Sequence, residues 1–312
     1  MKWKDIMKKP LLEINNLSVY FKMNNHRSVA IKDLSLKAYP GEILAIVGAS
    51  GSGKSVLAHS ILGLLPRNAI CSGEIIYNGR VVDDNLLYKL RGKEIAFIPQ
   101  NISYLNPLVK VGKQVRNFSN DFEAKKKQKK IFRDYGLGEA VEKLYPFQLS
   151  GGMARRVLIS MAVMENPNLI IADEPTPGLD VVSAKKTMEY FKNFAYKNKA
   201  VIIITHDIEL AINYSDKVAI FYAGEVLELT KAEYFKKGHH YLRHPYTKAL
   251  YRSLPSNDFM PIEGFQPVID ENDKGCVFRS QCKYKQDICD RSIKLQKIND
   301  EMVKCNVDFG SS

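Results

Sequence analysis

Residues 42–66 read EILAIVGASGSGKSVLAHSILGLLP, and this stretch decides the fold. A run of five apolar residues predicts a buried strand. Gly48-Ala-Ser-Gly-Ser-Gly-Lys54-Ser55 then fits G-x-x-x-x-G-K-[ST], and an apolar helical pattern follows. The glycines let the backbone curl until its N–H groups converge on a phosphate. The helix behind presents its positive end to the same anion. Gly48, Ser50, Gly51, Ser52 and Gly53 are therefore candidates for backbone contacts to a nucleotide. Lys54 is the candidate for the outer phosphates and Ser55 for Mg²⁺. A plain Gly/Ser turn is the competing reading, and the strand–loop–helix setting disfavours it.

Outward from the loop, the pattern repeats. NLIIADE (168–174) precedes an amphipathic helix, and AVIIITH (200–206) precedes another. Apolar strands alternating with helices predict an α/β architecture with a parallel sheet. Asp173 and Glu174 close the first of these strands. Successive strand residues point to opposite faces, so the expectation is that Asp173 serves the metal and Glu174 the attacking water. His206 closes the second strand, where an imidazole can bond a phosphate or a carboxylate. Ahead of the loop, LLEINNLSVYF and SVAIKDLSLKA alternate as strands, and Asn78-Gly79 within GEIIYNGRVV predicts a type I′ hairpin. Residues 101–164 lose the strand signal and read as a charged helical insert.

The 312 residues are 45% hydrophobic and 26% charged, which is globular composition. A net charge of +12 suits nucleic acid, nucleotide phosphates or an anionic membrane face, and equally simple solubility. No apolar run is long enough to span a bilayer, and MKWKDIMKKP at the start has no signal-peptide core, so a cytosolic chain is expected. The run Lys125 to Lys130 reads as a solvated helix face ahead of a phosphate-binding patch. Composition changes after residue 235, giving an expected division into residues 1–235 and 236–312.

LSGGM (149–153) at a helix start makes a second anion-binding corner. With GASGSGKS, LIIADEP and TH in this order, it resembles the ATP-binding subunit of an ABC transporter over residues 10–235. The resemblance implies a P-loop (RecA-like) ABC ATPase with an antiparallel β subdomain. It also implies a head-to-tail dimer in which Ser150, Gly151 and Gly152 of one subunit close on ATP held by the other. By the same carry-over Phe21 stacks on adenine, Gln100 is the lid glutamine near the metal, Asp180 lies in the interface loop, and Glu174 and His206 are catalytic. SYLNP after Gln100, YPFQLSGGM and HPYTKAL (244–250) resemble the oligopeptide, dipeptide and nickel importers. That branch implies two membrane-spanning permeases, a homologous second ATPase subunit, an extracellular solute-binding protein acting indirectly, and a peripheral place on the cytoplasmic membrane face. Peptides are the expected cargo, with nickel or a metal chelate as the alternative.

There are departures. The segment after Gln100 is one residue short, the insert is shorter than usual, and Arg155 stands where the branch commonly has glutamine. A soluble ABC ATPase acting on nucleic acid or ribosomes is the rival class; a single cassette with a short insert and HPYTKAL speaks against it, so no nucleic-acid partner is expected. Four of five cysteines fall at Cys276, Cys282, Cys289 and Cys305. Cytosolic chains rarely use disulfides, and the C-x-x-C pairs usual for zinc are missing, so a 4Fe–4S cluster is expected ahead of zinc or free thiols. Cys71 is expected to be packed.

Overall fold

The computed structural model describes residues 9–23, 27–268, 273–298 and 301–307, so the polar start of the chain lies outside the described residues through position 8. The chain forms two compact units, one from residues 1–39, 44–82 and 205–312, the other from 40–43 and 83–204.

The first unit opens with β1 (Leu12–Lys22) and β2 (Arg27–Ala38), an antiparallel pair. Strand β3 (Ile43–Val47) is buried at all five positions and leads through the glycine loop into α1 (Lys54–Ile61). Then β4 (Ala69–Tyr77) and β5 (Arg80–Val81) complete an antiparallel sheet of order β2-β1-β4-β5. Asn78 and Gly79 between them have φ of 48° and 76°, both positive, as the type I′ turn requires. Cys71, expected to be packed, is instead exposed on β4. Residues 71–74 of this strand are all exposed, on both faces, so alternation alone did not identify the stretch that leaves the core.

The second unit contains α2 (Asp84–Leu90), β6 (Ile95–Ile98), α3 (Val111–Val115), α4 (Phe122–Asp134), α5 (Gly151–Val163), β7 (Leu169–Asp173), α6 (Val181–Ala195) and β8 (Ala200–Thr205). Strands β6, β7 and β8 are parallel neighbours in that order. Between residues 101 and 164 every named element is helical. Helix α4 buries Gln128, Ile131 and Phe132, and α5 buries Ala154, Arg155 and Leu158 among others. The i, i+3, i+4 spacing of these positions is what lets short helices share one core.

The chain then returns to the first unit with α7 (Ile208–Tyr214), β9 (Lys217–Tyr222), β10 (Glu225–Lys231), α8 (Ala232–Lys237), α9 (Pro245–Arg252), β11 (Gln296–Ile298) and β12 (Glu301–Val303). Strand β9 runs parallel to β3, and β10, β12 and β11 follow outward, each antiparallel to its neighbour. Residues after 236 share one core with these strands: Tyr246 and Phe278 pack on Tyr222, with ring centroids 4.4 Å and 5.7 Å away.

HPYTKAL owes its form to this junction. His244 caps α9, its Nδ1 accepting from the Tyr246 N–H at 3.0 Å, while Pro245 takes the first helical position, where no N–H is needed. The carboxylate of Glu228 on β10 accepts the backbone N–H groups of Arg243 and His244 at 3.0 and 2.7 Å. Glu301 on β12 bonds Arg243 Nε at 2.8 Å and accepts the Thr230 hydroxyl. Glu228 is fully buried, and burial pushes its carboxyl up to about 7 against the pull of the two N–H groups. Burial holds His244 down, to about 3, so it is neutral.

Candidate functional site

The glycine loop is built against its own unit. A Cβ on Gly48 would sit 2.2 Å from the Phe221 carbonyl oxygen, and one on Gly53, whose φ is 105°, would sit 2.4 Å from that of Ala30. Both positions therefore admit only glycine. Gly51 (φ 78°) has nothing within 4 Å on the side where a Cβ would point. The Nζ of Lys54 donates to the carbonyls of Gly48 and Ala49, each at 2.7 Å. Ser50 and Ser55 are exposed, whereas Ser52 is buried and its hydroxyl has no hydrogen-bond partner among the described residues. A buried unpartnered hydroxyl is costly in a finished structure. Beside Gly51, whose Cβ side is open, it fits a phosphate oxygen.

In the same unit His206 is exposed just after β8, where the Thr205 hydroxyl accepts the Asp207 N–H at 3.0 Å and Asp207 caps α7. Phe21 is half-buried on β1 opposite Ser28 and Ala69.

The second unit holds the remaining candidates. Asp173 is the last residue of β7 and is buried. Glu174 is also buried, but its φ is 45° and its N–H donates to Ile204 at 2.9 Å. The expectation that strand alternation separates the two carboxylates is therefore corrected: Glu174 has left the strand for a left-handed conformation. That is an unfavourable state for a non-glycine residue and one that gathers at functional sites.

Ser150 caps α5 by accepting the Met153 N–H at 3.3 Å, and a Cβ on Gly151 would meet nothing within 4 Å. One on Gly152 would contact Leu179 at 3.7 Å and the Ser183 hydroxyl at 3.8 Å. That hydroxyl is bound to Asp180 at 2.7 Å, and Asp180 also caps α6 through the Val182 and Ser183 N–H groups, both at 3.0 Å. The Ser183 hydroxyl bond, with these N–H groups, holds the Asp180 carboxyl below its usual range. The LSGGM corner and the Asp180 loop are thus in contact. Gln100 is tied to the same helix by its backbone. Arg155 on α5, 4% exposed, donates to the carbonyls of Pro99 at 2.7 Å and Gln100 at 2.8 Å. Sequence reading marked Arg155 only as a departure, since its partners lie 55 and 56 residues away.

Two of the four tail cysteines are joined through their backbones. Cys276 and Cys289 are buried, and the Cys276 N–H donates to the Cys289 carbonyl at 2.8 Å. Burial pushes the Cys276 thiol up to about 12, with smaller contributions from Cys305, Cys282 and Cys289 nearby. Cys282 and Cys305 are raised for the same first reason. Among the described residues, however, no group of three or more His, Cys, Asp or Glu side chains is gathered to hold a metal ion, so the expected ligand sphere is not formed here. Sulfur donors suit iron–sulfur chemistry in kind, and the thiols of Cys276, Cys282 and Cys305, raised by burial, would have to release protons on binding.

The ABC transporter family matches residues 31–177, and the oligopeptide/dipeptide transporter C-terminal region matches residues 231–289. The dipeptide transport ATP-binding protein DppD of Bacillus subtilis is 35% identical, over 93% of this chain and 92% of its own length. The oligopeptide transport ATP-binding protein OppD of Salmonella typhimurium is 34% identical, over 92% and 90%. Among solved structures, a dimeric ATP-binding cassette in a post-hydrolysis state with ADP and Pi is 30% identical, with a TM-score of 0.64 over 71% of this chain and 98% of that one. A P-loop with an open phosphate cradle, an LSGGM-capped helix and an HPY-type extension thus stand in one chain, and it belongs to the ATP-hydrolysing subunits of ABC transporters, in their oligopeptide/dipeptide branch.

Proposed function

We propose that this chain hydrolyses ATP to drive uptake of di- and oligopeptides through a membrane complex of two permeases, alongside a homologous second ATPase subunit and supplied by an extracellular binding protein. The observation that carries the reading is the cradle around Gly51 and Ser52, with its buried hydroxyl awaiting an acceptor. The names of the relatives support peptides as the cargo. Among the described residues no helix is long and apolar enough to cross a membrane, which is consistent with a peripheral place on the cytoplasmic face.

In this reading the loop N–H groups, Ser52 and Lys54 hold the phosphates, and Phe21 stacks on the base. Ser55, Asp173 and Gln100 would hold Mg²⁺, which would supply charge neutralisation at the phosphates. Glu174 accepts the proton of the attacking water, and its left-handed backbone fixes the direction of its carboxylate. His206 bonds the outer phosphate. Ser150, Gly151 and Gly152 complete the partner's site, and Asp180 braces that corner through Ser183. The test is the assembled transporter: Glu174→Gln should bind ATP and lose hydrolysis and dipeptide uptake together, whereas Lys54→Ala should lose binding. Near-normal turnover in Glu174→Gln would refute the assignment of the base, and nickel uptake in place of dipeptide uptake would refute the cargo.

We also propose that Cys276, Cys282, Cys289 and Cys305 hold a structural 4Fe–4S cluster, a reading supported by the clustering of four of the five cysteines in residues 276–305 and by the backbone bond between Cys276 and Cys289. Protein purified without oxygen should be brown, with about four irons per chain. Colourless protein, with zinc or without metal, would overturn this.

A further inference from the structure

The lysine run of α4 is not consumed by ATP hydrolysis, and the second unit gives it a place. Lys110, Lys113, Arg116, Lys125, Lys129 and Lys143 line one cavity of about 630 Å³. The single carboxylate in its lining, Glu142, is already engaged: it lies 3.6 Å from Arg116 and accepts the amide of buried Gln128 at 3.2 Å. Gln128 in turn accepts from Arg116. The five lysines have no carboxylate within ion-pair distance among the described residues. Two of them lie over rings instead, Lys110 at 5.9 Å from Tyr145 and Lys113 at 5.4 Å from Phe118. Lys125 and Lys129 stand four apart on one helix face, a like-charge pairing that costs helix stability. Lys126, Lys127 and Lys130 do not line the cavity. The run is thus split between a concave cationic wall and an ordinary solvated face.

The rim adds a second feature. Leu108, also lining the cavity, is 85% exposed; Phe118, beneath the Lys113 ammonium, is 54% exposed, and Phe122, one turn ahead of Lys125 on α4, is 76% exposed. A soluble phosphate compound would use the cations and leave these apolar groups in water. A lipid surface uses both, with phosphates against the lysines and apolar side chains at the acyl boundary.

We propose that this cavity binds the phosphates of acidic phospholipid headgroups, with Leu108 and Phe122 entering the layer at its rim. The inference is independent of the ATPase assignments. Its test is co-sedimentation of the full chain at 0.15 M salt with vesicles of phosphatidylglycerol and phosphatidylcholine, against phosphatidylcholine alone. Binding should require phosphatidylglycerol. Each basic residue at an acidic surface contributes roughly fivefold, so K125Q/K129Q should weaken binding ~30-fold. K126Q/K130Q, with the same change in net charge, should weaken it only a few-fold. Glutamine keeps nearly the helix propensity of lysine, so both pairs should fold. L108S/F122S should also weaken vesicle binding while leaving inorganic pyrophosphate binding unchanged. Equal loss in the two lysine pairs would mean diffuse charge attraction and overturn the site. Pyrophosphate binding that K125Q/K129Q abolishes, without vesicle binding, would assign a soluble anion and overturn the lipid. Unchanged vesicle binding with failed permease assembly in K125Q/K129Q would assign a protein segment, with the same consequence.

Discussion

Glu228 and His244 are buried neighbours whose proton affinities are shifted in opposite senses, and their combined effect on stability can be worked out. Burial raises the Glu228 carboxyl from 4.5 to about 7, so folding favours its protonated form. That contribution is full below pH 4.5 and is lost as pH rises toward 7. Burial lowers His244 from 6.5 to about 3, so folding favours the neutral ring. That contribution is full above pH 6.5 and is lost as pH falls toward 3. Between pH 4.5 and 6.5 the unfolded chain holds one proton on the histidine and the folded chain holds one on the glutamate. The two cancel, and this pair gives no pH slope. Removing either member should uncover the other, at ~1.4 kcal/mol per pH unit and thus about 2.7 kcal/mol over this window. Glu228→Gln should lose stability on acidification relative to the parent protein. His244→Asn, which keeps an acceptor for the Tyr246 N–H, should lose it as pH rises. Urea unfolding followed by circular dichroism at pH 4.5, 5.5 and 6.5 gives these slopes. They are the readout because Glu228→Gln also sets an amide against a backbone N–H, a penalty that does not vary with pH. A constant difference from the parent protein across the window, in either variant, would refute the reasoning.

Three further outcomes are expected. Arg155→Leu removes two charge-assisted bonds of roughly 1.5–3 kcal/mol each, partly offset by no longer burying an ion, and should cost about 2–4 kcal/mol in urea unfolding; Arg155→Lys should fall between, and an unchanged midpoint for Leu would show that the clamp on Pro99 and Gln100 bears no load. Gly48→Ala should abolish ATP binding or folding, because its Cβ meets a carbonyl at 2.2 Å, whereas Gly51→Ala carries only left-handed strain of about 1 kcal/mol; equal ATP affinity in both would contradict the loop geometry. Ser150→Arg should leave ATP binding to the isolated chain intact yet abolish hydrolysis, and a parallel loss of binding would place this corner in its own chain's nucleotide site.

What the sequence disclosed was local. Asn78-Gly79 needs two positive φ values and has the two residues that supply them most cheaply. Gly48 and Gly53 announce close backbone approach, and runs such as AVIIIT are strands because both faces are covered. Ser150 was legible at a helix start, whereas the capping of α6 by Asp180 came only with the structure. The readings that changed depend on distant partners. Glu174 looked like a strand residue until its N–H found Ile204. Arg155 looked like a lapse from a motif until its guanidinium met two carbonyls more than fifty residues upstream. Cys71 had to await the arrangement of its sheet, and the spacing of the tail cysteines suggested a ligand group that is not gathered among the described residues.

The polar junction under HPYTKAL shows why a marker can be plain in sequence while its physics is not. Strand β12 has three residues, and its register to β10 sets Glu228 opposite Val303 and Leu229 opposite Met302. A ladder so short is weakly specified, and a slip of one residue would turn its side chains to the other face. Glu301 removes that freedom: one carboxylate oxygen takes the Thr230 hydroxyl and the other takes Arg243. The Arg243 backbone is in turn fixed by Glu228, which also holds the first turn of α9 through His244. An apolar replacement of this buried network would bury more hydrocarbon and cost less desolvation. It would not distinguish the right register from the wrong one. The carboxylates of Glu228 and Glu301 therefore trade stability for a unique attachment of the tail, and HPY is the part of that device which happens to be contiguous in sequence.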